Sequence, residues 1–344
     1  MVALFIIVLG SCSDGLQNKT QQKESQLKDS VTKAQLETVF SDSTYLFTGV
    51  AASHDGKRLF VSYPNWTDKY LWSVVEVGSN GKATAYPNAK WNSFKKGDDG
   101  ANRFVCVQAV FADDKGYLWV VDPAGIGLGD VYQQSNKVVK INLNTDSVER
   151  IYRFPANVAG PKSYINDIRI DNENGFAYLT SSADGGIVVL NINSGASRLV
   201  LSKHPSVLSD TAYHFIIDGK EWTNAKGPVK INADGIALTP DKAWLYYKPL
   251  TDDKLSRIST ALLRDFKTSD KDIEAGVENL GRFITTDGME FDTSGNLYLG
   301  DLEKYSIVRM GTDKKMTALI GDRNQLIWPD SYSISNGYLY IKNQ

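Results

Sequence analysis

Thr48, Gln108, Asn166, Asp234, Asp287 and Asp330 each stand just ahead of a short alternating apolar segment, at matching points of one repeated phrase. All six carry a side-chain oxygen. If the segments they precede are the innermost strands of a closed ring, these oxygens meet at one mouth of its central channel. Three carboxylates and three neutral oxygens there suit a hard divalent cation, most simply Ca²⁺, which takes about six to eight oxygen ligands. Asn166, Asp234 and Asp287 would form its core, and in a hydrolase Asp234 or Asp287 would act as base on metal-bound water. Gln108, Asn166, Asp167, Arg169, Glu290 and Asp330 form the wider set that a small polar ligand would touch. The local alternative is that such residues cap their own backbone in Asx-turns, which recur because the turn recurs. In the Asp-Gly pairs 234–235 and 287–288 the glycine is expected to set the turn and the aspartate to face the axis; Asp167 takes the glycine's place in its repeat. Arg169 and Glu290 fall three residues beyond their ring positions and suit acid–base work, a carboxylate clamp or an ion pair with each other. Asp122 and Asp301 end the second strands and are expected as turn caps at the end away from the ring.

The elements that must position these groups are hairpins. "FTGVAASHDGKRLFVSYP" (47–64), "VQAVFADDKGYLWVVDP" (107–123), "YINDIRIDNENGFAYLTSS" (164–182), "NADGIALTPDKAWLYYKP" (232–249), "TTDGMEFDTSGNLYLGD" (285–301) and "WPDSYSISNGYLYIKN" (328–343) share one form. An alternating apolar arm leads to a turn of Asp, Asn, Ser and Gly, and then to an arm bearing an aromatic residue. Aligned on Phe60, Trp119, Tyr178, Tyr246, Tyr298 and Tyr340, the copies are 59, 59, 68, 52 and 42 residues apart. Propeller blades run about 40–50 residues with four strands each, so six copies with loop insertions predict an all-β, six-bladed β-propeller. Stretches 71–87, 136–155 and 185–202 supply outer hairpins, 213–222 an extra hairpin turning at Asp218-Gly219, and 259–277 a helical segment between blades. Residues 36–47 are placed to close the ring, unless the last blade is short.

Charge is nearly balanced at a formal −2, which leaves no electrostatic footprint for nucleic acid. "MVALFIIVLGSC" reads as a short export leader (1–12) whose Leu9-Gly10-Ser11-Cys12 resembles a lipobox, with Cys12 as the lipidation site. Residues 13–35 read as a polar tether and 36–344 as the propeller. The expected product is an exported protein: a periplasmic or cell-surface lipoprotein, otherwise secreted. It would be monomeric and would touch membrane only through the lipid anchor. Cys106 lies in an apolar run and is expected to be a buried, inert thiol. His54, His204 and His214 lack zinc spacing, and neither a nucleophile elbow nor a phosphate-binding glycine loop is present.

Residues 136–155, 163–182, 185–201, 233–247 and "STALLRD" (259–265) resemble the major royal jelly/yellow protein family over residues 45–344. The resemblance implies a six-bladed, exported propeller with a ligand pocket at the channel mouth; insect members include amine binders. More distantly the chain resembles gluconolactonase/regucalcin-like propellers, which hold a divalent cation with Glu, Asn and Asp. Asn166 with Asp234 or Asp287 matches that set in type, but Thr48 stands where a glutamate would be needed. The leading expectation is a small-molecule binder with walls from Trp66, Tyr63, Trp91 and Trp328. A metal-dependent lactonase and a protein-interaction scaffold are the alternatives.

Overall fold

Local turn chemistry folds the hairpins. Asp55, Asp113, Asp171, Asp241 and Asp292 each accept backbone N–H bonds from residues two to four further on, between 2.8 and 3.2 Å. These are the Asx caps, and they sit at the hairpin tips, whereas the ring residues stand at the other end of the same strands. Gly116, Gly175 and Gly295 follow with φ of 81°, 75° and 83°. The fourth repeat has no glycine there and puts Lys242 at φ 58°.

The computed structural model describes residues 1–8 and 34–343. Its architecture is six four-stranded antiparallel sheets, arranged as the blades of a propeller. The innermost strands are Gly49–Ala52, Ala109–Ala112, Ile165–Asp171, Ala233–Leu238, Met289–Phe291 and Ser331–Ser335. Each touches the next around the axis, and the circle closes between the sixth and the first. Ser331 and Ser333 hydroxyls accept from Val50 and Ala52 N–H there, at 3.1 and 3.0 Å.

Burial is organised between blades. Six apolar clusters each join two neighbours, such as Trp119, Val138 and Tyr152 with Ile168, Leu179 and Leu190 between the second and third. Because a blade is covered on both faces, both registers of its alternating pattern are apolar. The repeated aromatics Phe60, Trp119, Tyr178, Tyr246 and Tyr298 each fill the wedge toward the following blade. Their recurrence marks an inter-blade contact. At roughly 1.5–3 kcal/mol per fully buried large side chain, these wedges hold the ring without disulfides; Cys106 is a free, buried thiol whose pKa burial pushes upward.

The sixth blade is ordered Glu37–Asp42, Val2–Val8, Tyr338–Asn343, Ser331–Ser335. Residues 37–42 thus supply a closing strand, as the sequence suggested. Val2–Val8, expected in a removable leader, instead lies between them, paired with Tyr338–Asn343 on one side and Glu37–Asp42 on the other. Leu4 and Ile7 are fully buried. A run of Val, Ile and Phe is as good a strand as it is a leader core, and the edge of Tyr338–Asn343 needs a partner. The two roles exclude each other in any one molecule, since a chain cut before Cys12 lacks this strand. Cys12 itself lies outside the described residues.

Candidate functional site

The ring forms as its spacing predicted. Thr48, Gln108, Asn166, Asp234, Asp287 and Asp330, with Gly49, Ala109, Asp167, Gly288 and Ser331, line one axial cavity of about 20 Å³. That is room for roughly one water or one ammonium head.

The glycines after the ring aspartates have a different purpose from the one expected. Neither Gly235 nor Gly288 has positive φ. A Cβ on Gly235 would lie 2.5 Å from the Asp287 carbonyl oxygen, and one on Gly288 would lie 2.0 Å from that of Asp330. Glycine is there so that each innermost strand can approach the ring carbonyl of the next blade.

The two halves of the ring differ in chemistry. On the first three blades the ring groups Thr48, Gln108 and Asn166 are neutral, and the first two are bonded to each other. Thr48 Oγ1 donates to the Gln108 carbonyl at 2.7 Å. The Tyr164 hydroxyl donates to Gln108 Oε1 at 2.9 Å and accepts from the Trp66 indole at 3.0 Å. On the last three blades stand carboxylates: Asp234 and Asp287 are buried, and the Asp330 side chain is 14% exposed. Burial, then the charges of Asp330 and Asp167, push Asp234 up to about 8; a hydrogen bond from Asp287 acts the other way. Burial, then the charges of Asp330 and Asp234, hold Asp287 well above the usual carboxylate range. Asp330 is raised by burial against the opposing pull of Lys342. Asp234 and Asp287 stand close enough to share a proton.

Two buried lysines answer these carboxylates, and the sequence reading passed over both. Lys342 Nζ donates to Asp330 Oδ2 at 2.7 Å. Lys248 Nζ donates to the carbonyls of Pro249, Asp252 and Thr286 at 2.6, 2.8 and 3.3 Å, and burial lowers its pKa to about 8. Each lies two residues after the repeat aromatic, where Ser62 and Thr180 donate to the ring carbonyls of Gln108 and Asp234 at 3.0 and 2.8 Å. "YYK" and "YIK" against "FVS" and "YLT" was the available signal.

Below the ring, Arg169 plugs the channel. From the third blade it reaches the Met289 carbonyl of the fifth at 2.7 Å, holds Asp167 at 2.8 Å, and lies 5.3 Å from the Phe111 ring centre of the second. Its Nε is 2.9 Å from Glu290 Oε2, so the expected pair forms, though without the alignment of a hydrogen bond. Burial raises Glu290 to about 7 despite this arginine. Arg169 itself is penalised by burial, but Asp167 and Glu290 outweigh that and raise its pKa.

Asp122 and Asp301 are at the ring end, contrary to the expectation, because an antiparallel second strand ends where the first begins. They do cap turns: Asp122 accepts from Val105, Cys106 and Ala124 N–H at 2.8–3.0 Å and pairs with buried Lys137 at 2.8 Å, while Asp301 accepts from Glu303 N–H at 3.2 Å. Of the four expected wall aromatics, Trp66 and Trp328 reach the ring network, Trp328 donating to Asp287 Oδ2 at 2.6 Å. Trp91 packs on Phe104, and Tyr63 packs on Phe47 with its hydroxyl on Asp42.

The family model described as "Major royal jelly protein" matches residues 105–343, well over half of the chain. The chain belongs to this family. "Protein yellow" of Drosophila yakuba is 26% identical over 231 residues, covering 63% of this chain and 42% of that protein. "Protein yellow" of Drosophila guanche is 25% identical over 283 residues, covering 76% and 49%. The chain therefore spans less than half the length of these relatives. Solved structures share the fold: a chain of a nidogen/laminin complex at TM-score 0.57, 10% identity and 98% and 99% coverage, and a gluconolactonase from Xanthomonas campestris at 0.53, 11%, and 89% and 88%. At such identities the likeness shows the propeller alone.

Proposed function

We propose that this family member binds a small organic cation, a primary ammonium in the first place, with its head in the axial ring and its body at the channel mouth. The observation that carries this is an excess of desolvated carboxylate around a cavity of ammonium size. Asp167, Asp234, Asp287, Glu290 and Asp330 face Arg169, Lys248 and Lys342. Five acids against three bases leave two negative charges to be neutralised by protons or by a bound cation. An ammonium offers three donors to a ring made of acceptors. Trp66 and Trp328, tied into that ring, supply aromatic faces for its body. The family kinship supports the same reading.

Calcium, with or without lactone hydrolysis, is the competing reading and rests on the same oxygens. As arranged, these fit a metal poorly. Asp287 is engaged by Trp328 and Asp330 by Lys342. Among the described residues no three Asp, Glu, His or Cys side chains are grouped as a metal requires. No hydrolytic step is therefore derived. Titration calorimetry with 2-phenylethylammonium and separately with calcium chloride tests both readings. Micromolar to millimolar amine binding, lost in Asp234→Asn/Asp287→Asn, is expected. Calcium binding in place of amine binding would overturn the proposal in favour of the metal site.

A further inference from the structure

The longest repeat carries an insertion before its innermost strand: two hairpins, Ile216–Ile217 with Lys220–Glu221 and Thr223–Asn224 with Gly227–Pro228. The insertion arises ahead of the fourth blade yet leans on the fifth and sixth. The Tyr213 hydroxyl meets Thr285 Oγ1 at 2.6 Å and Glu303 Oε2 at 3.2 Å. Ile216 N–H donates to Glu303 Oε1 at 3.0 Å, and Asp218 holds the Tyr305 hydroxyl and Arg323, the latter at 2.5 Å. Trp222 and Phe215 pack on Trp328, with ring centres 5.1 and 6.0 Å away. Trp328 in turn gives its indole N–H to Asp287 in the ring.

Phe215 is the insertion's deep anchor, while most of 216–228 is exposed. Short strands with few buried contacts open locally at low free-energy cost. The ring cavity holds no more than an ammonium-sized head, so the body attached to it must lie at the mouth, beside Trp328. On the neutral half, Trp66 reaches the ring only through Tyr164. On the acidic half, Trp328 holds a ring carboxylate, Asp287, directly.

We propose that Trp328, clamped by the inserted hairpins, is the specificity-determining gate of the axial site. Its indole N–H occupies the Asp287 oxygen that an incoming ammonium must take. Its swing, set by how firmly 213–228 is latched, decides how bulky a body can follow the head. This rests on the cation-binding reading for its ligand, but the clamp is testable without one.

In the free protein, hydrogen exchange of the indole N–H groups is followed by NMR in the wild type and in Tyr213→Phe/Arg323→Ala, which cuts three of the latch contacts. Exchange at Trp328 is expected to rise at least fivefold while Trp66 is unchanged. Equal exchange at Trp328 in both proteins would overturn the clamp. Affinities for methylammonium and 2-phenylethylammonium then test the gate. Trp328→Phe removes the competing N–H and shrinks the side chain while leaving an aromatic face toward Phe215 and Trp222, so it should bind both cations several-fold more tightly. The latch variant should speed association of the aryl cation more than that of methylammonium. Unchanged affinities in Trp328→Phe would overturn the gate. If neither cation binds any of these proteins, the cation-binding reading and the gate fall, whatever the exchange result says of the clamp.

Discussion

Blades one to three and blades four to six present the same backbone positions to the axis and fill them differently. Thr48, Gln108 and Asn166 face it on one side; Asp234, Asp287 and Asp330 face it on the other. The supporting position beneath follows suit, with Ser62 and Thr180 in the first half and Lys248 and Lys342 in the second. One half is complete in itself. The other buries charge that its own lysines only partly balance, and that imbalance is what a ligand would use. A fold built from equal repeats can thus keep its stability in one set of copies and place its chemistry in another.

The largest expected effect breaks the acidic half at its support. Lys342→Met strands Asp330 and should cost about 3–5 kcal/mol at pH 8 by denaturant unfolding, and less as the pH falls, because burial raises the Asp330 pKa. The matching change in the neutral half, Ser62→Ala, removes the hydrogen bond to the Gln108 carbonyl and the one accepted from Gly49 N–H, and should cost about 1–3 kcal/mol, the same at either pH. Equal costs would erase the distinction.

Next comes the close approach of strands. Gly288→Ala puts a methyl 2.0 Å from the Asp330 carbonyl and should destabilise by about 1–3 kcal/mol or more through overpacking. Gly219→Ala has φ of 72° with nothing within 4 Å; it should cost about 1 kcal/mol through backbone strain alone.

The pH profile separates the halves more finely. Asp234 is raised to about 8 from 3.8, and Glu290 to about 7 from 4.5. The folded state therefore holds protons that the unfolded chain has released. The stability these groups contribute is complete below about pH 4 and lost as pH rises toward 8. Each proton adds a slope of at most about 1.4 kcal/mol per pH unit. Lys248, lowered from 10.5 to about 8, acts with the opposite sign above that window. Melting temperature should fall from pH 5 to pH 8, and Asp234→Asn should flatten the fall and stabilise at pH 8. Asn166→Asp, which makes the neutral half acidic, should steepen it.

The smallest effect is Tyr164→Phe, which removes the hydroxyl between Trp66 and Gln108. About 1 kcal/mol of stability should go, with amine affinity changed less than twofold.

Much of this was legible from the chain. Hairpins, blade number and ring positions follow from a repeated phrase, because turn chemistry and alternation are local. The Asx caps were visible too, but the phrase has two acidic positions, and only the geometry separates tip aspartates such as Asp113 and Asp292 from ring aspartates such as Asp287. What could not be read depends on neighbours in space. Gly235 and Gly288 answer to the carbonyl of the next blade, Arg169 to a carbonyl two blades away, Lys248 to the Thr286 carbonyl ahead of the fifth blade, and Lys342 to Asp330 on the neighbouring strand. Val2–Val8 reads two ways for another reason: an apolar run serves equally as a leader core and as the buried strand it forms in the sixth blade.

The central claim is that the acidic half holds protons which a cation replaces. Calorimetry of 2-phenylethylammonium binding at pH 7, in two buffers of different ionisation enthalpy, tests it directly. Net proton release on binding, absent in Asp234→Asn/Asp287→Asn, is the predicted result. Binding without proton release, or binding that the double substitution leaves intact, would contradict it.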